Sequence, residues 1–147
     1  MVSQSQYPTV NEALVRNVFD AVWGPDGGPD AIDDYFTVDF VDHEPGRTIE
    51  GRPAYKDYVR DLLSGMPDFA GSTELVICDG DYVSVRYTVT GTHVGTFWGI
   101  EPTREQVEVD GTVVYHVVDG RIDERWNAYD RLELLEQLGV GPGQLDY

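Results

Sequence analysis

Lysine is almost missing from this chain. Lys56 stands alone, and the 147 residues carry 10 basic against 27 acidic side chains, a formal charge of −17. A surface so short of cations repels phosphate backbones and anionic lipid, which argues against nucleic acid and membrane as partners. The Asp-rich, Lys-poor balance also suits a high-salt interior, where screening removes self-repulsion. Cysteine is equally scarce: Cys78 is the only one, which rules out an internal disulfide and a cysteine-based metal site. No apolar run approaches bilayer-spanning length and no basic-then-apolar leader opens the chain, so a cytoplasmic protein is expected. Missing too are a phosphate-cradling glycine loop, a Gly-x-Ser-x-Gly elbow and a His-x-x-x-His pair. Asp42, His43 and Glu44 are neighbours, but side chains alternate in an extended segment and these three do not converge on a metal.

What is present reads as one domain over 1–147, with 1–8 frayed and 140–147 a tail. Thr9-Val10-Asn11-Glu12 is a capping box opening a helix whose buried stripe is Leu14, Val15, Val18, Phe19 and Val22. The breaker run 24–29 stops it, and Asp30 to Phe36 reads as a second, shorter helix. Phe40 to Pro45 is a short extended piece. A third helix follows Gly51-Arg52-Pro53, with Tyr55, Tyr58, Val59, Leu62 and Leu63 at helical spacing. From Phe69 onward the period changes to two, giving strands at Leu75 to Cys78, Tyr82 to Thr90, Gln106 to Val118 and Arg121 to Tyr129. Leu132, Leu135 and Leu138 suggest a closing helix ended by Gly139. Helices first and a curled sheet afterwards make an α+β layout, in which the helices cover one face and a cone between the layers can take a small molecule.

The most informative stretch is Val107 to Asp130. Asp119-Gly120 between apolar alternations is a hairpin signal, since both turn residues tolerate positive φ. A two-residue loop predicts Val117 opposite Ile122, Val113 opposite Trp126 and Val109 opposite Asp130, on one face with Tyr115. A carboxylate ending such an apolar face loses hydration and gains a pKa suited to proton transfer. Asp130-Arg131-Leu132-Glu133 is equally an acidic cap on the last helix, and an N-cap Asp is purely structural. The same register puts His116 on the face opposite Val117.

Candidate pocket residues are spread along the chain. Phe40, Tyr87, Tyr115 and Trp126 belong to strand faces, and His43 either faces the cavity or is held by neighbouring acids. The loop from Gly91 to Thr103 carries His93, Phe97 and Trp98, side chains larger than a connector needs; they form the pocket mouth or cap the sheet.

These pieces stand in a recognisable order. They are Asp42-His43, the Gly-Arg-Pro helix start, Met66-Pro67-Asp68, Gly91-Thr92-His93 with Gly95, Phe97 and Gly99, and Asp119-Gly120-Arg121-Ile122 leading to Trp126 and Asp130. From about Val15 to Gly139 the chain resembles the SnoaL-like polyketide cyclases, within the nuclear transport factor 2-like fold class. The resemblance implies N-terminal helices on a strongly curved mixed or antiparallel sheet. It also implies a cofactor-free, metal-free intramolecular aldol condensation or enolisation on a small apolar or conjugated carbonyl compound. Asp130 would then be the general acid/base and His116 its assistant, and the exposed sheet face would make a homodimer or higher homo-oligomer. The alternative is a noncatalytic small-molecule-binding or assembly domain on the same scaffold.

Overall fold

Helix α1 (Val10–Trp23) starts where the sequence places it: the Thr9 side chain accepts a hydrogen bond from the Glu12 amide. The structure, a computed structural model, describes residues 9–141, so the expected fray at 1–8 and most of the tail lie outside the described residues. The second helix is shorter than expected: a 3-10 turn at Pro29–Ala31 runs into α2 (Ile32–Tyr35), and Phe36 already opens β1 (Phe36–Glu44). A turn at Pro45-Gly46 leads to β2 (Arg47–Glu50), a strand the sequence reading did not contain. Then come α3 (Arg52–Gly65), β3 (Ala70–Asp79), β4 (Tyr82–Thr92), β5 (Gln106–Val118), β6 (Arg121–Tyr129) and α4 (Arg131–Leu138).

The six strands form one sheet in the order β2-β1-β6-β5-β4-β3. It is mixed, because β1 runs parallel to β6 while every other pairing is antiparallel. Helices α1, α3 and α4 lie against β3, β1 and β5 respectively. Between helices and sheet sits a core that includes Val15, Val18, Phe36, Phe40, Val59 and Ile122. Fully burying side chains of this size contributes roughly 1.5–3 kcal/mol each before entropy is subtracted.

One irregularity decides which side chains reach the interior. Val117 pairs with Ile122 as expected, but His116 pairs with Glu124, so Asp123 is an extra residue on β6. Beyond that bulge every β6 side chain is on the opposite face from the simple register. Val113 faces Asn127 rather than Trp126, and the pairing ends at Gly111 with Tyr129, so Val109 never meets Asp130. Arg125, Asn127 and Tyr129 therefore point inward, and Trp126 points out.

Candidate functional site

The bulge places a charged group in the interior. Asp42 on β1, Arg125 on β6 and Tyr115 on β5 are cross-strand neighbours on the covered face. Arg125 is 5% exposed, Asp42 0% and Glu44, two residues along β1 on the same side, 8%. Arg125 Nη1 donates to Asp42 Oδ2 at 3.3 Å, Glu44 Oε2 at 3.2 Å and the Tyr55 hydroxyl at 3.0 Å. The guanidinium also lies over the rings of Tyr55 and Tyr115, each at 5.6 Å. Lost hydration raises the Asp42 pKa from 3.8 to about 8; Arg125 pulls it down and the Glu44 charge pushes it up. Burial and the neighbouring Glu44 thus favour the protonated form of Asp42, and the Arg125 guanidinium opposes it.

Glu44 is the member of the two-carboxyl pair that faces open space. Its oxygens accept hydrogen bonds from Asn127 Nδ2 at 3.1 and 3.2 Å and from the Tyr58 hydroxyl at 3.3 Å. These contacts, and the one from Arg125, are longer than the roughly 2.7–2.9 Å of tight charge-assisted bonds. The carboxylate is positioned without being locked. Asn127 is itself oriented by the Tyr87 hydroxyl, which donates to its Oδ1 at 2.7 Å.

Above this polar floor opens a cavity of about 690 Å³, the open space at its mouth included. Its walls are aromatic and aliphatic: Phe19 and Trp23 from α1, Leu62 from α3, Met66 and Phe69 beyond it. Phe97 and Trp98 close one side, and Val107, Val109 and Leu134 another. Two glycines seat the large rings. A Cβ at Gly111 would lie 2.3 Å from the Tyr87 hydroxyl oxygen, so the bare backbone of β5 is what lets Tyr87 reach across to Asn127. A Cβ at Gly65 would likewise lie 2.8 Å from Phe97.

The 93–105 loop is pinned from within. The amide of Thr103 donates to His93 Nδ1 at 3.2 Å, the Arg104 amide to the His93 carbonyl at 2.9 Å, and the amides of Val94 and Gly95 to the Gly65 carbonyl. His93 is wholly buried, and burial lowers its pKa. Phe97 packs edge-on against it at 5.0 Å, so His93 holds the cavity wall from behind.

The expected site residues are thus divided. Tyr87, Phe97 and Trp98 line the cavity. Phe40 is core, packed on Phe36 and Tyr55, and Tyr115 lies beneath the floor as the cross-strand neighbour of Arg125. His43 and Trp126 are corrected to the outer face, where their rings stack at 5.5 Å and His43 Nε2 meets Glu124 Oε2 at 2.6 Å. His116 keeps the outer side that the register assigned it, with Nδ1 2.6 Å from Asp123 Oδ1. Asp130 is exposed and caps α4, accepting from the Glu133 amide at 3.0 Å. Neither Asp130 nor His116 is among the cavity-lining residues.

Glu44, Arg125, Asn127 and Tyr129 were missed. Strand alternation already placed Asp42 and Glu44 on one side, and a bulge in β6 would have added Arg125 to them. Among the described residues no group of three or more His, Cys, Asp or Glu side chains is placed to hold a metal ion, and no helix is long and apolar enough to cross a membrane.

The same architecture recurs in solved structures. A candidate SnoaL-like polyketide cyclase from Jannaschia sp. CCS1 is 26% identical, aligns over 97% of this chain and 100% of its own, and has a TM-score of 0.84. AclR, a candidate hydroxylase from Streptomyces galilaeus, is 26% identical over 90% of this chain and 82% of its own, with a TM-score of 0.77. IdmH, a candidate polyketide cyclase from Streptomyces antibioticus, is 25% identical over 88% and 99%, with a TM-score of 0.73. A search of curated proteins returns no match. The model of the SnoaL-like polyketide cyclase family matches residues 13–138, and the chain, with its four helices on a six-stranded mixed sheet, belongs to that family.

Proposed function

We propose that the cavity binds a small apolar or conjugated carbonyl compound and moves protons on it without a cofactor, with Glu44 as the proton acceptor. The observation that carries this reading is a carboxylate set at the polar end of an aromatic chamber, loosely held and backed by a buried cation. Glu44 would remove a proton from the carbon next to a carbonyl. The C–H electron pair becomes the enolate, delocalised onto the carbonyl oxygen. In an aldol closure that carbon then bonds to a second carbonyl carbon of the same molecule, and the resulting alkoxide takes the proton back from Glu44. A dry wall strengthens every electrostatic contact to the developing charge. Family membership and a neighbour described as a candidate polyketide cyclase support ring closure; a neighbour described as a candidate hydroxylase marks that other chemistries use this scaffold.

The test is deuterium incorporation into the methyl group of acetonaphthone in heavy water, followed by proton NMR. Glu44→Gln should slow protein-dependent exchange by roughly 100-fold or more, the usual contribution of a positioned general base. Asp130→Asn should leave it unchanged. Exchange no faster than in buffer, or full exchange in Glu44→Gln, would overturn the proposal in favour of a binding domain. Loss confined to Asp130→Asn would move the chemistry to the last strand's end, as the family resemblance implies.

A further inference from the structure

We propose that the cavity selects uncharged guests and that the Tyr129 hydroxyl reads the guest's acceptor oxygen. This rests on the reading that the cavity is the ligand site, though not on the chemistry assigned to Glu44. Among the described residues only two charged side chains lie on the wall, Glu44 and Arg125, and they pair with each other. Arg125 Nη1 is already shared among Asp42, Glu44 and Tyr55. A carboxylate or phosphate entering the chamber would shed its water and meet a cation that is 5% exposed, its unpartnered Nε buried, and already paired with Glu44. It would also approach against a chain charge of −17. An ammonium would shed its water as well, and would find the Glu44 carboxylate engaged by Asn127 and Tyr58 with the guanidinium directly behind it. Either ion pays the desolvation cost against a counter-charge that is already paired with its opposite.

A neutral oxygen meets something different. Among the described residues three phenols, those of Tyr58, Tyr87 and Tyr129, stand on the wall. Tyr58 gives its proton to Glu44 and Tyr87 gives its proton to Asn127. Tyr129, on β6 two residues beyond Asn127, has no hydrogen-bond partner among the described residues, and its pKa is raised, by burial first and then by the nearby Glu44 charge. A phenol that stays protonated beside a carboxylate is a donor awaiting an acceptor. A ring-bearing guest with one carbonyl or hydroxyl oxygen fills the aromatic chamber and satisfies that donor in a single pose.

The experiment is titration calorimetry of the whole protein with methylnaphthalene, acetonaphthone, naphthoate and naphthylmethylamine, four guests that share one ring system. Acetonaphthone should bind tightest, with both ions at least about tenfold weaker. Tyr129→Phe should weaken acetonaphthone about fivefold, the worth of one neutral hydrogen bond, and leave methylnaphthalene unchanged. Naphthoate or naphthylmethylamine binding as tightly as acetonaphthone would overturn the selectivity. Equal weakening of acetonaphthone and methylnaphthalene would reduce Tyr129 to packing and overturn its role. Selective binding by a protein that shows no deuterium exchange would support this inference while removing the proton-transfer reading. Failure of all four guests to bind would remove both.

Discussion

The two faces of β6 hold the same chemical ingredients in opposite surroundings. Outside, His43 with Glu124 and His116 with Asp123 form close pairs at 2.6 Å, their side chains 23% to 37% exposed. Inside, Arg125 with Asp42 and Glu44 makes longer contacts, at 3.2 and 3.3 Å, yet those side chains are at most 5% exposed. Distance alone would rank the outer pairs first. Burial reverses the order, because water competes for the outer pairs while the inner groups have only each other. The inner group is therefore where substitution, pH and ligand should matter.

The largest break in that comparison is Arg125→Met. Removing the cation strands two carboxyl groups in the interior, and loss of one partner of a buried pair costs about 3–5 kcal/mol. Denaturant unfolding should show that loss at neutral pH and a smaller one in acid, where the carboxyls are neutral. Adding Asp42→Asn and Glu44→Gln to the same chain should recover much of it. A cost no larger than that of an outer-face substitution would mean that the interior cluster is hydrated.

Asp42→Asn comes next and reads the interior through pH. Its folded pKa, about 8, lies above the ordinary 3.8, so the unfolded chain releases this proton first. The stability that Asp42 contributes is complete below 3.8 and falls as pH rises toward 8, then levels off. The wild type should lose ground to Asp42→Asn across that window, with a slope of at most about 1.4 kcal/mol per pH unit. A difference that grew in the wild type's favour with rising pH would mean that Arg125 outweighs burial.

How much of this was legible beforehand turns on Asp123. The strands Gln106–Val118 and Arg121–Tyr129 emerge from alternation and from Asp119-Gly120, and their limits match. Nothing in Ile122-Asp123-Glu124-Arg125-Trp126 marks the bulge, since no glycine or proline interrupts it. Without the bulge, hydrophobicity sends Trp126 inward and Arg125 outward. The fold does the reverse: Trp126 is 38% exposed and Arg125 is enclosed. Strand β2 was invisible for a simpler reason, as Ile49 is the one apolar residue in Arg47–Glu50 and the strand exists only by pairing with β1. Asp130 carried two readings, of which the cap is the commoner for such a pattern, and its side chain makes the capping bond. Glu44 could not be singled out locally, because its cation lies 81 positions away.

The smallest expected effect, and the sharpest control, is a double-mutant cycle on His116 and Asp123 with His116→Gln and Asp123→Asn. Side chains exposed by 23% and 37% keep much of their hydration, so the coupling should fall below about 1 kcal/mol despite the 2.6 Å contact. Molar salt should erase most of any charge–charge part of it, since the screening length then shrinks to about 3 Å. The same cycle on Arg125 and Glu44 should be larger and nearly indifferent to salt, because ions do not enter a floor that is closed to them. The two results belong together: a salt-sensitive interior coupling would mean that solvent reaches Arg125 through the cavity. The chamber would then be wet, and the argument for an uncharged guest would lose its footing along with the argument for a dry base.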